Sequence, residues 1–203
     1  MTNKLKYSSG IKSKPFLYVE FKKAAELLAE HPDKSISQLK KKTIEDNVFQ
    51  FNSINRKKEV ASAVFKRLNV LDDFLLNKLL NETIDTCKQI NIYSILKTDR
   101  LFFEFMNEVY KDKYEIRDPY LRDKDFNIFF QSKAEQSERI AKWVDYTYYK
   151  LKQVYIRILF EAGFIKDQDE REIIKPLINS DIEEHLIDIG DKIYLEAMLG
   201  GKQ

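Results

Sequence analysis

Side chains able to do covalent or metal chemistry are few in this sequence, and they are scattered. The 203-residue chain has 2 His, His31 and His185, and 1 Cys, Cys87. Their separations match no metal-ligand spacing. No GxGxxG or GxxxxGK(S/T) run is present to cradle a phosphate. Asp99 beside Arg100, in KTDRLFFEFM, reads as a structural ion pair, and the many other carboxylates read as solvated helix faces. This pattern points away from an enzyme and calls for no cofactor or metal. The remaining chemistry is that of clustered cations, which bind polyanions. One cluster is Lys40, Lys41 and Lys42, followed by Arg56, Lys57, Lys58 and then Lys66. The other is Tyr148, Lys150, Lys152, Gln153 and Arg157.

Placement makes the first cluster informative. Ser53 is positioned to cap a helix running to about Leu71, so Arg56–Lys58 fall in its first turn. Cations there oppose the helix dipole, at a cost of about 0.3–1 kcal/mol each. The same helix end attracts phosphate through its free N–H groups. A phosphate bridging dipole and cations reconciles the two, and long side chains swinging out into water explain the same residues without one. In the second cluster, Lys and Gln can reach phosphates or base edges, and Arg can read guanine in bidentate fashion. An ordinary amphipathic helix with a wet side fits that pattern too.

The elements that must hold these residues are helical. Only 5 Gly and 4 Pro leave little room for the turns of a sheet-rich fold, while 14 Phe and 11 Tyr can build a core of large rings. Helices are expected from Pro15 to about Glu30, from Ser35 or Ser37 to about Asp46, and from Ser53 onward. Further helices cover Asp72 to Leu80 and Ile84 to Tyr114, the latter with a break near Thr98-Asp99. Helices at about 123–134 and 137–143 precede a long one from Tyr146 to Ala162. The last spans about 182–199 with a break near Gly190. Leu151, Val154, Tyr155, Ile158, Leu159 and Ala162 fall on one apolar face of the long helix; Thr147, Lys150, Gln153, Arg157 and Glu161 fall on another. The order short helix, turn, long helix, Gly163 stop is that of helix-turn-helix and winged-helix domains. A short hairpin near 164–177 would supply the wing. The pair formed by 35–46 and 53–71 is the second candidate nucleic-acid element, its connector long for a tight helix-turn-helix. The fold class is all-α: one compact helical domain over 1–203, with the loop at Pro119 marking candidate subdomains 1–116 and 120–203.

Charge is unevenly distributed. Residues 1–67 hold 15 Lys and Arg against 7 Asp and Glu, and the rest hold 20 against 26. A basic N-terminal third is a plausible polyanion footprint. A lone Cys forms no intramolecular disulfide and fits a reducing cytoplasm. No stretch reaches the roughly 20 apolar residues that span a bilayer, so no membrane partner is expected. No heptad seam appears, and a monomer is expected.

Several strings together resemble the small A component of the BREX (bacteriophage exclusion) phage-defence systems. They are FQFNS with RKKE, KTDRLFFEFMNEVY, IFFQSKAEQSERIAKW, KLKQVYIRILFEAGF and YLEAMLG. The resemblance runs over nearly the whole chain. It implies an all-helical globular protein that binds double-stranded DNA through two helix-turn-helix-like elements. It also implies an accessory role, with methyltransferase and ATPase chemistry carried by other BREX proteins. No catalytic residues come with it. Three readings follow. The first is a DNA binder gripping the phosphate backbone with the residues named above. The second is an adaptor that docks other BREX components on an acidic C-terminal segment (Asp181, Glu183, Glu184, Asp188, Asp191). The third is an RNA-binding helical module.

Overall fold

Local start and stop signals account for most of the helix ends. A computed structural model describes residues 5–200. Its helices are α1 (Tyr18–Glu30), α2 (Ile36–Glu45), α3 (Ile54–Leu68), α4 (Asp73–Asn81), α5 (Ile84–Thr98) and α6 (Arg100–Phe105). A π-helical turn, Met106–Tyr110, leads into α7 (Lys111–Glu115). Then come α8 (Asp123–Gln136), α9 (Glu138–Ala141), α10 (Asp145–Ala162), α11 (Ser180–Asp188) and α12 (Lys192–Leu199). The fold is all-α.

Ser35 caps α2 in a reciprocal capping box with Gln38, which satisfies two otherwise orphaned N–H groups. Asp99 separates α5 from α6 by accepting from the Phe102 N–H at 3.0 Å. Its neighbour Arg100 pairs with Glu104 at 2.7 Å, so the ion pair read between Asp99 and Arg100 belongs instead to Arg100 and Glu104. Pro15 does not open the first helix. The Phe16 carbonyl accepts from Arg67 Nη1 at 2.7 Å and Asn91 Nδ2 at 2.8 Å, and Leu17 is left-handed at φ 52°. The helix therefore starts at Tyr18. The C-terminal break at Gly190 occurs where expected, with φ at 80°, a value glycine adopts without penalty.

The expected hairpin reduces to isolated bridges. Ile165 pairs with Ile173, and Tyr120 pairs with Glu172. The intervening turn has no glycine. Asp167 builds it, its Oδ1 accepting from the N–H groups of Asp169, Glu170 and Arg171.

Residues 16–94 form one compact unit, and 5–15 with 95–200 form another. In the first unit α3 packs on α1 and α2, and α4 packs on α1. Its core holds Phe16, Phe21, Leu39, Val60, Val64, Leu75 and Leu79. Lys22 Nζ donates to the Leu79 and Leu80 carbonyls at 2.6 and 2.8 Å. It thereby caps the C-terminal end of α4, where a cation is favoured. Cys87 is buried, donates to the Leu79 carbonyl, and burial pushes its thiol pKa up.

The second unit is built on rings. Phe105 stacks on Phe126 at 4.8 Å and meets Phe129 and Tyr155 at 5.4 and 5.2 Å. Such pairs add about 0.5–1.5 kcal/mol beyond area burial. Tyr110, in the π-helical turn, donates to the Phe164 or Ile174 carbonyl, each at 3.0 Å, which ties the bridge region to the core. A charge network runs through the same unit. Lys133 Nζ lies 2.9 Å from Glu104 and 2.6 Å from Glu108. The Tyr7 hydroxyl donates to Glu104 at 2.9 Å, and Arg100 covers the Tyr7 ring at 4.0 Å.

Candidate nucleic-acid interface

Helices α2 and α3 bring the first basic cluster together only in part. The connector is a built corner. Asn47 and Gln50 are left-handed at φ 51° and 58°, Asn47 Oδ1 accepts from the Phe51 N–H, and Phe49 is buried. Ser53 stands at the N-cap of α3 but makes no side-chain cap hydrogen bond. Along α3, Lys58, Ser62 and Lys66 follow one another at four-residue steps, and all three are exposed. Residues so spaced share one helix face. Lys40 reaches that face from α2, donating to Ser62 Oγ at 3.1 Å. Lys40 thus joins the α3 face that carries Lys58, Ser62 and Lys66.

The remaining cations of this cluster are placed differently. Arg56 is half-buried with its guanidinium 5.4 Å from the Phe51 ring centroid, and Lys57 is half-buried. Lys41 and Lys42 each pair with an acid one turn on, Glu45 at 3.8 Å and Asp46 at 2.6 Å. The clustering that spacing alone could not show is the approach of Lys40 to α3.

Helix α10 separates the second cluster into two groups. At about 100° per residue, Tyr146, Tyr149, Lys150, Gln153, Arg157 and Phe160 share one side. Tyr146 is 63% exposed, Tyr149 50% and Phe160 41%. Lys150 Nζ sits 5.5 and 5.7 Å from the Tyr146 and Tyr149 ring centroids and donates to Gln153 Oε1 at 3.1 Å. Gln153 donates onward to Tyr149 Oη at 2.7 Å. Arg157 pairs with Glu161, and its side chain is 59% exposed.

Lys152 and Tyr148 point elsewhere. Lys152 pairs with Asp123 at 2.9 Å, and Asp123 also takes Arg171 at 2.6 Å. Those two hydrogen bonds, Lys152 first, hold the Asp123 carboxyl below its ordinary pKa. Tyr148 Oη donates to the Ile140 carbonyl at 2.6 Å, and its ring packs against Phe130 and Trp143. It braces the corner between α9 and α10, and burial raises its phenol pKa. Thr147, expected on the wet face, is buried, because it lies in register with Leu151, Val154 and Ile158. Tyr146 and Tyr149 lie outside the cluster expected from sequence. Their three- and four-residue spacing from Lys150 and Gln153 was the available signal.

Fold and faces together define a small all-helical protein that displays cation-bearing helix faces, one in each compact unit. Among the described residues no group of His, Cys, Asp or Glu is arranged to hold a metal ion, and no helix is long and apolar enough to cross a membrane. Residues 5–190 match the model of the BrxA family. The chain belongs to that family, and so is a component of a BREX phage-defence system. It is 52% identical to the BREX protein BrxA of Bacillus cereus (strain H3081.97) over 197 residues, 96% of each chain. It is 23% identical to the BREX protein BrxA of Paramagnetospirillum magneticum (strain ATCC 700264 / AMB-1) over 153 residues, 75% of this chain and 77% of that one. A crystal structure of an uncharacterized protein from Magnetospirillum magneticum has the same fold. Its TM-score is 0.83 at 20% identity, covering 96% of this chain and 99% of that one.

Proposed function

We propose that the protein is a non-enzymatic, cytoplasmic, monomeric accessory of its BREX system that binds double-stranded DNA through the phosphate backbone. The observation that carries this reading is the group Lys40, Lys58 and Lys66 on the α3 face of Ser62. Three lysines on one face, with an exposed hydroxyl between them, can meet phosphate oxygens. Lys150 and Arg157 on α10 form a second binding element, with Gln153 between them able to reach base edges or phosphates. Helices α2–α3 and α9–α10 act as the helix-turn-helix-like elements that present these residues.

Backbone binding of this kind weakens steeply with salt. Each neutralised phosphate adds about 0.9 to the slope of log K against log salt on duplex DNA. A fluorescence-anisotropy series over salt tests it. The Lys58→Glu/Lys66→Glu variant should bind more weakly on every duplex sequence, with a slope shallower by about 2. Absence of duplex binding at low salt, or an unchanged slope in the variant, rejects the reading.

A second reading, an adaptor for other BREX proteins, is favoured by the C-terminal helices. Ile187, Ile189 and Ile193 are 40–46% exposed beside the exposed acids Asp181, Glu184 and Asp188. Co-purification with BREX components that survives nuclease treatment, and is lost on Ile187→Glu/Ile193→Glu, supports it.

A further inference from the structure

We infer that the exposed side of α10 is a stacking platform for unpaired bases, so the preferred substrate is DNA with locally opened or single-stranded segments. This rests on the DNA-binding reading above and names the substrate class of its second element. The carrying observation is that two tyrosine rings, usually half-hidden side chains, stand in solvent at the start of α10. Tyr146 and Tyr149 are 63% and 50% exposed, with ring centroids 6.4 Å apart and planes inclined by 34°. They are not idle core residues: the second unit's core holds other rings, among them Phe102, Phe105, Phe126 and Tyr155.

The surroundings of the two rings fit a nucleic acid. Lys150 lies within 6 Å of both centroids, and Gln153 fixes the Tyr149 hydroxyl. Arg157 follows one turn on, and Lys142 is exposed in the turn before the helix. Rings interleaved with cations are how single-stranded nucleic acid is held: bases stack on the rings, and the cations meet the phosphates between them. The acids on this side are Asp145 at the helix start, where the dipole favours a carboxylate, and Glu161, which is taken up by Arg157. With Arg157 paired to Glu161, Lys142 and Lys150 carry the positive charge that meets a polyanion. In a closed duplex each base face is covered by its neighbours, so the two rings would meet only edges and backbone. An opened segment uncovers the faces, and the rings gain an interaction worth about 1–3 kcal/mol per stacked base.

The experiment compares three labelled DNAs: a closed duplex, the same duplex with a short central bubble, and one of its single strands. The full chain should bind the bubble and the single strand about 5- to 150-fold more tightly than the closed duplex. Tyr146→Ala/Tyr149→Ala should abolish that preference, weakening bubble and single-strand binding down to the level of the closed duplex. Tyr146→Phe/Tyr149→Phe, which keeps the rings, should retain it, which separates stacking from any change in folding. Equal affinity for bubble and closed duplex, or an alanine pair that keeps the preference, overturns the inference while duplex binding stands. Failure to bind any of the three DNAs overturns the DNA-binding reading, and this inference with it.

Discussion

Replacing Lys133 by Met tests how the charge network of the second unit is held. The Lys133 side chain is only 4% exposed and lies between Glu104 and Glu108. Removing one partner of a buried ion pair costs about 3–5 kcal/mol, because the other charge is left buried. Here the cost should fall at the lower end, about 3 kcal/mol. Glu104 keeps Arg100 at 2.7 Å and the Tyr7 hydroxyl at 2.9 Å, and the Glu108 side chain is 45% exposed and can turn to water. Glu104→Leu should cost more, toward about 5 kcal/mol. It takes the shared acceptor from Lys133, Arg100 and Tyr7 together. For a chain of this length each kcal/mol moves the melting temperature by about 2–4 °C. The expected losses are then about 6–12 °C for Lys133→Met and about 10–20 °C for Glu104→Leu. Near-UV circular dichroism follows the aromatic-rich second unit during the melt. The double variant should melt above Glu104→Leu alone, since it removes opposite charges together. A Lys133→Met protein within about 2 °C of the parent, or a Glu104→Leu protein milder than it, would refute the assignment.

Three further outcomes are expected. Burial raises the Glu104 pKa, but hydrogen bonds from Arg100, Lys133 and Tyr7 outweigh it and the folded-state value is lowered. Its stabilisation is therefore complete above the unfolded value of about 4.3 and is lost as pH falls below that; Glu104→Gln should flatten the acid limb of a stability-against-pH curve. Ser35→Ala breaks the capping box of α2 and should cost about 0.5–2 kcal/mol by urea titration, with Ser35→Thr largely restoring it. Gly163 ends α10 at φ 80° with open space around a would-be Cβ. Gly163→Ala should therefore cost about 1–2 kcal/mol from backbone strain alone, and Gly163→Asn less.

What could be read from the sequence was mostly local. The cap at Ser35, the break at Asp99 and the stop at Gly163 are each decided within four residues, and the expected helices end close to them. Misplaced features depend on distant partners. Lys152 reads as a groove-facing cation until Asp123, 29 residues earlier, is seen to hold it. Lys133, inside FFQSKAEQ, carries the signature of a surface residue, yet Glu104 and Glu108 draw it into the core. Helical spacing alone puts Thr147 on the wet face, because it gives angles but not which side is covered. The first basic cluster was legible as composition, whereas the approach of Lys40 to Ser62 depends on how α2 lies on α3. Tyr146 and Tyr149 do not stand out in the sequence, because tyrosine in an aromatic-rich chain reads first as core.

The division of the chain has a consequence for its synthesis. Residues 16–94 are continuous and can close on themselves as soon as they emerge. Residues 5–15 precede them but belong with 95–200. Tyr7 waits for Glu104, and the short 3₁₀ turn Gly10–Ser13 waits for α10, on which it packs. At ribosomal speeds of about 5–20 residues per second, the wait is roughly five to twenty seconds for Tyr7 and roughly seven to thirty for the turn. A segment made before residues 16–94 thus finds its place after them, and until then its buried Tyr7 and Ile11 are open to solvent.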